Sequence, residues 1–390
     1  MKYRLSSAAD NLIGQPMYKL LSRIKEMERS GKDIVHFEIG DPDFDTPDNI
    51  KAAASRALEN GNTHYTDSMG LYEFRETIRQ HTQKVRGFTP DVEQVVAAPS
   101  ANSIIYMAVR CLVNPGDDVV VSDPCFPTYT SVLNFCGVNG VGVPLREKNG
   151  FRLDVDELES KITPKTRLII VNSPNNPTGS VMHRHELERV YEVARKHDAF
   201  LLSDEVYHSM IYSDIPFYSP SILDRCKERV IVLDGFSKTH AMTGWRLGMV
   251  TGPEDFTRKL GLTIQTIVSC VSPFIQEAGI EALTGPQEPL ARMMEVYKER
   301  RDTMVSGLND IPGVFCHMPD GALYCFANIT GTGMDSQAFA DFALDAGVGL
   351  LPGTDFGPSG EGFIRLCYAT STERIKEGIK RLKDALSEKL

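Results

Sequence analysis

No stretch of this chain is apolar for long enough to cross a membrane. The first residues, Met1 to Gln15, lack the apolar core of a secretory signal, so a cytoplasmic location is expected. Positive charge is also in short supply. Lys and Arg number 42 against 52 Asp and Glu, a net charge of -10, which argues against nucleic acid or anionic membrane as the main partner. The eight cysteines include no C-x-x-C pair and lie scattered, several within apolar runs. They read as reduced, mostly buried thiols rather than a disulfide framework. His185-Glu186-Leu187-Glu188-Arg189 starts like a zinc-protease motif but lacks its second histidine, and His183 and His197 read as solvated helix residues, so no metal is expected. There is no internal repeat and no low-complexity linker.

What remains is an ordinary globular chain of 390 residues, 42% apolar, with length for two or three domains. Pro16 opens a helical pattern, Met17, Leu20, Leu21, Ile24 and Met27, which Gly31 ends. A short strand over 34–39 runs into the turn Gly40-Asp41-Pro42-Asp43. Helices are expected over 47–60 and from about Leu71. From Val92, strands and helices alternate. Strands are expected over 94–98, 118–122, 141–145, 168–172, 200–204, 230–233 and 247–251, with helices such as 103–112 and 184–197 between them. That alternation implies an α/β fold with a largely parallel sheet covered on both faces. After Gly285-Pro286-Gln287 comes a long charged helix, 288–308. Strand-like runs follow over 314–317, 323–329, 348–351 and 363–368, with helices over 336–346 and 372–389. This is a second, smaller α+β unit, and the N-terminal segment is expected to pack with it.

The chemistry concentrates at strand ends. Lys238 follows the apolar run Val230-Ile231-Val232-Leu233 within Ser237-Lys238-Thr239-His240-Ala241-Met242-Thr243-Gly244-Trp245-Arg246. An amine at the end of a buried strand is desolvated, so its pKa falls and it can attack an aldehyde. Ser237 and Arg246 flank it with phosphate-ligand chemistry. An amine nucleophile beside phosphate ligands suggests pyridoxal 5′-phosphate (PLP). Asn172-Ser173-Pro174-Asn175-Asn176-Pro177-Thr178-Gly179 is a turn at a strand's C-terminal end, where open α/β sheets place ligands, although such composition also makes plain turns. Leu201-Leu202-Ser203-Asp204-Glu205-Val206-Tyr207 ends another apolar strand in a carboxylate. A carboxylate there is costly unless a cation meets it, and a pyridinium nitrogen is suitable. Tyr207 and Asn176 can donate to the ring's phenolate oxygen.

Together these motifs identify the chain as similar to the fold-type I, PLP-dependent aminotransferases of class I/II, the aspartate aminotransferase superfamily, from about Met17 to the C-terminus. The combination of N-x-P-x-N-P-T-G, S-D-E-V-Y and S-K-x-x-x-x-x-G-W-R carries the resemblance. It implies a large domain, 48–285, with a mostly parallel seven-stranded sheet, and a small domain formed by 1–47 and 286–390. It implies that Lys238 holds the cofactor covalently and, once freed, shuttles a proton. Asp204 would pair with the ring nitrogen, Asn176 and Tyr207 would contact the phenolate oxygen, and Ser237 and Arg246 would hold the phosphate. Phe126 would stack on the ring. Arg365, in Phe363-Ile364-Arg365-Leu366, would bind the substrate α-carboxylate, with Gly40 beside it. A structural salt bridge is the plainer role for that arginine. Tyr65 would reach the phosphate of a neighbouring subunit in a homodimer with shared sites; alone it reads as a packed aromatic.

Two positions depart from the family's pattern. The phosphate loop reads Pro99-Ser100-Ala101-Asn102-Ser103 without the usual small pair, but a helix N-terminus still offers N–H groups, so Ser100, Ala101 and Asn102 stand as phosphate-site candidates. His240 replaces an aromatic and receives no role. The expected reaction moves an amino group between an α-amino acid and a 2-oxo acid by a ping-pong route. The same residues could serve β-elimination (a C–S lyase) or amino-acid oxidation. A non-catalytic PLP-binding module is the less favoured class, because Lys238, Asp204 and Arg365 are all present.

Overall fold

A computed structural model describes residues 4–389. Its main sheet has seven strands in the order Val95–Ala98, Gly248–Thr251, Val230–Gly235, Phe200–Asp204, Thr166–Asn172, Asp118–Asp123, Asn139–Pro144. All neighbours are parallel except Gly248–Thr251, which runs antiparallel to both strands beside it. The central strands are continuously apolar because both faces are covered. Leu168, Ile170, Leu202, Ile231 and Leu233 face one core, where helices Ala101–Leu112, Pro127–Cys136 and Glu254–Val268 pack. Ile169, Val171, Leu201, Val230 and Val232 face the other, under helix Arg184–Lys196. Alternation along each strand puts successive side chains in different cores.

The second sheet is antiparallel, in the order Leu351–Pro352, Phe363–Cys367, Tyr324–Asn328, Phe315–Cys316. Helices Glu288–Asn309 and Thr372–Lys389 close its core through Met304, Leu308, Ile375 and Leu382. The N-terminal segment does pack here. Val35–His36 pairs in parallel with Val348–Gly349, and Phe37 enters the same core. The strand expected over 34–39 is therefore two residues long. The run expected as one strand over 348–351 is split between two sheets: Val348–Gly349 binds the N-terminal segment, while Leu351–Pro352 joins the antiparallel sheet. All eight cysteines are unpaired.

One buried ion network ties the sheet's strand ends together. Arg86, at the end of helix Tyr72–Arg86, donates 2.7 Å bonds to Glu205 through Nε and to Asp234 through Nη2. Glu205 also accepts from Ser203 and Ser219. Burial alone would raise the Asp234 carboxyl, but His208 and Arg86 beside it hold it well below the usual range. His81, His208 and Asp234 have ligand atoms within 4.8 Å of one another, yet Asp234 Oδ2, 3.3 Å from His208 Nδ1, already accepts from Arg86. Replacing Arg86 by Met leaves two buried carboxylates without their cation, so Arg86→Met is expected to lose about 3–5 kcal/mol of stability. Urea unfolding measures it, and a loss below about 1 kcal/mol would show that the network contributes little.

Candidate active site

A cavity of ≈ 550 Å³ opens at the C-terminal ends of the parallel strands and is roofed by the second sheet and the N-terminal helix. Its lining includes Gly40, Ala101, Asn102, Phe126, Asn176 and Asp204, together with Tyr207, Ser237, Lys238, Arg246 and Arg365. Of the residues expected from sequence, only Ser100 and Tyr65 lie outside the lining. Ser100 caps the helix Ala101–Leu112, its hydroxyl accepting from Ser103 N–H at 3.3 Å. It holds φ 100°, a strained value for a non-glycine residue. That turn leads into Ala101 and Asn102, the first residues of the helix, which line the cavity; a helix start offers N–H groups free to bind an anion. Gly248 permits it, since a Cβ there would meet the Ser100 carbonyl carbon at 3.0 Å. Tyr65 is 85% exposed on the surface of this chain.

Asp204 ends its strand inside the cavity wall and is buried. Desolvation pushes its carboxyl up to about 7, against the pull of a 2.5 Å hydrogen bond from Tyr129 and a 3.3 Å bond from Val206 N–H. No Lys, Arg or His among the described residues forms an ion pair with it. Lys238 is partly buried, and its Nζ donates to the Gly40 carbonyl. Burial lowers its pKa, with the Asp41 charge opposing. Arg365 is fully buried on the second sheet. It donates to the Glu38 carbonyl and to Asn176 Oδ1 at 3.4 Å, while its Nε has no partner. Its guanidinium lies 4.6 Å from the Tyr324 ring centroid and 4.8 Å from that of Phe356. No described carboxylate pairs with it, so the structural salt bridge considered from sequence is not present.

Sequence reading missed three neighbours. Tyr129 bonds Asp204 from the first turn of helix Pro127–Cys136. Tyr324 meets the Tyr207 hydroxyl at 2.8 Å and fills the space beside Gly40, where any Cβ would collide with it. Asn172 links the Asp204 carbonyl at 3.1 Å to the Asn176 N–H at 2.8 Å. No local spacing reports the two hydroxyl pairings, because Asp204 lies 75 residues from Tyr129 and Tyr324 lies 117 from Tyr207, and Asn172 reaches the Asp204 carbonyl from the neighbouring strand. Burial lifts the Tyr207 hydroxyl well above the phenol range and that of Tyr324 to about 12, so both remain proton donors. His240 sits within the lysine loop, with Nε2 against the Ala282 carbonyl at 3.1 Å, and takes no part in the lining.

This donor set fits PLP. A buried carboxylate without a cation suits a protonated ring nitrogen, and a desolvated amine suits an aldehyde. A helix N-terminus with Arg246 suits a phosphate. The carboxylate has a consequence in the protein without cofactor. Its folded pKa lies above the ordinary Asp value, so the folded state holds the proton longer than the unfolded chain does. The stabilisation is complete below about pH 4 and is lost as pH rises through about 7. Between pH 5 and 8, cofactor-free wild type should therefore lose more stability than Asp204→Asn, by up to ~3 kcal/mol. Parallel urea curves across that range check it; identical slopes for the two proteins would show that Asp204 is not the perturbed acid.

The family model for aminotransferase class I and II matches residues 32–382. The chain is 40% identical over 371 residues to an aspartate aminotransferase of Pyrococcus horikoshii, covering 94% of each. It is 40% identical over 366 residues to an arginine–pyruvate transaminase of Pseudomonas aeruginosa, covering 94% of this chain and 92% of that one. Among solved structures it matches the Thermus thermophilus aspartate aminotransferase with maleate at a TM-score of 0.94 and 31% identity, over 98% of this chain and 100% of the other. With a cavity whose groups suit that cofactor, a matching fold and a match over nearly its full length, the chain belongs to the class I and II aminotransferases and is a PLP-dependent enzyme.

Proposed function

We propose that transamination runs through Lys238, Asp204 and Arg365, with the α-amino acid held between the two sheets. One observation carries this reading: a buried carboxylate without a cation and a buried guanidinium without a carboxylate face the same cavity. Bound at Lys238, PLP supplies an electron sink that makes the α-proton of an amino acid acidic. Asp204 holds the ring nitrogen's positive charge, and the Tyr129 hydrogen bond fixes its orientation. Tyr207 and Asn176 donate at the phenolate side, and Phe126 flanks the ring. Ser237, Arg246 and the helix start at Ala101 and Asn102, set by Ser100, grip the phosphate. Arg365 takes the α-carboxylate in a two-pronged bond, with the Gly40 backbone beside it. The Lys238 amine, its pKa lowered by burial, takes and returns the α-proton. The named relatives are aminotransferases, which favours amino transfer to a 2-oxo acid over elimination or oxidation.

Residues 48–285 form the cofactor-holding domain in this reading, and 1–47 with 286–390 the substrate-gripping one. The working form is a homodimer. Bonding of Thr66 N–H to Cys270 and packing of Met69 against Gly261 set the Tyr65 loop against helix Glu254–Val268. That helix exposes Leu262, Ile267 and Val268 next to it, an apolar surface suited to a second copy. Tyr65 then reaches the neighbour's phosphate. Eight unpaired cysteines suit the reducing cytoplasm. No described helix is long and apolar enough to cross a membrane.

Borohydride should fix PLP to Lys238, shown by peptide mapping, and Lys238→Ala should retain cofactor without turnover. Arg365→Lys should lower kcat/KM by roughly 100-fold or more while PLP content stays unchanged. Loss of PLP with normal substrate handling would move Arg365 out of the substrate site. For the dimer, Ile267→Glu should yield monomers in sedimentation, with PLP affinity and activity falling together. A fully active monomer would remove Tyr65 from the site.

A further inference from the structure

Building on those assignments, we propose that the substrate side chain is uncharged and apolar, and that Met17, Tyr18 and Leu21 of the N-terminal helix select it. The charges among the described lining residues are Lys238, Arg246, Arg365, Asp204 and Asp41. The three cations and Asp204 are committed to cofactor and α-carboxylate. The remaining charge, Asp41, is negative and repels a second carboxylate.

The opposite wall is the first turn and a half of helix Pro16–Arg29, which presents Met17, Tyr18 and Leu21 to the cavity. Met17 packs with Leu351 and Phe356, and Phe356 is the ring that faces the Arg365 guanidinium. The apolar wall is thus continuous with the carboxylate anchor. Ile39 and Ile105 also line the cavity. Polar groups nearby are neutral or engaged: the Gln15 amide is tied to Thr128 Oγ1 at 2.9 Å. None of the helix's own cations, Lys19, Arg23, Lys25 and Arg29, is in the lining; Arg23 pairs with Asp341 at 2.8 Å, and Lys19 is exposed with its charge felt by the Asp355 carboxyl. A second carboxylate here meets no uncommitted cation from this chain's described lining. Each buried methylene instead gains roughly four-fold in affinity.

The test uses PLP-loaded enzyme and two readouts. Calorimetry compares unreactive acids, 4-methylpentanoate and 3-phenylpropanoate against succinate. Turnover compares leucine, methionine and phenylalanine against aspartate and glutamate. The apolar compounds should lead by about ten-fold or more in both. Leu21→Arg should shift the ratio toward succinate and glutamate by a similar factor. Tighter succinate binding by wild type would overturn the inference and point to a cation from outside this chain. An unchanged ratio in a folded Leu21→Arg would remove the N-terminal helix as the selecting wall, and if that variant does not fold, the wild-type comparison decides alone. Inert donors together with an unlabelled Lys238 would instead defeat the underlying assignment of the site.

Discussion

A charge inside a protein costs several kcal/mol unless an opposite charge or a full set of hydrogen bonds meets it. Asp204 and Arg365 both sit in that position, on different sheets, facing one cavity. Neither has an ionic partner among the described residues. The protein tolerates this because each is partly supported: Asp204 by the Tyr129 hydroxyl and Val206 N–H, Arg365 by a backbone carbonyl and two aromatic faces. Support of that kind orients a charge without neutralising it. Each is left with attraction to spend on a bound group, and their placement on separate sheets makes the space between them the site.

The rest of the large sheet keeps the Asp204 side from moving. Asp204 and Glu205 are neighbours in sequence that serve different ends. Asp204 turns toward the cavity, and Glu205 turns into the Arg86 network with Asp234. Arg86 thus clamps the strand that ends in Asp204 to the strand that leads to Lys238. A charged clamp is less economical than an apolar one, but it fixes register, because a slipped strand would strand a buried carboxylate.

Much of this was legible in sequence where the information is local. Seven apolar runs separated by helical stretches gave the sheet, since a strand covered on both faces must be continuously apolar. Asp204 and Lys238 stood out because charge after an apolar run is anomalous, although Lys238, expected at the strand's end, lies three residues past it in the loop that follows Gly235. The split of 348–351 between two sheets was not legible: Val348 and Leu351 are both buried and apolar, and only the arrival of Val35–His36 decides which edge each joins. Tyr129 and Tyr324 were missed for the same reason, as aromatics whose hydroxyl partners are brought in from far along the chain. The N-terminal helix was seen by its periodicity, but the pattern could not say that its first turns wall a cavity.

The reversed strand explains why the lysine is held so firmly. In a purely parallel sheet, the chain leaving Val230–Gly235 would cross over through a helix before its next strand. Here it turns back directly into Gly248–Thr251, antiparallel and adjacent. The connecting loop is pinned at its base by Phe236 N–H on the Leu247 carbonyl, and within by His240 N–H on the Phe236 carbonyl and Met242 N–H on the Ser237 carbonyl. Thr46 fixes its far side, donating to the Ala241 carbonyl at 2.6 Å and accepting from the Trp245 indole at 2.9 Å. Ser237, Lys238 and Arg246 therefore ride on one short, internally bonded loop. A flexible four-carbon amine starts from a fixed base, so the freedom left to Nζ is that of the side chain alone. That is the freedom an amine needs to let go of one partner and carry a proton a short distance to another.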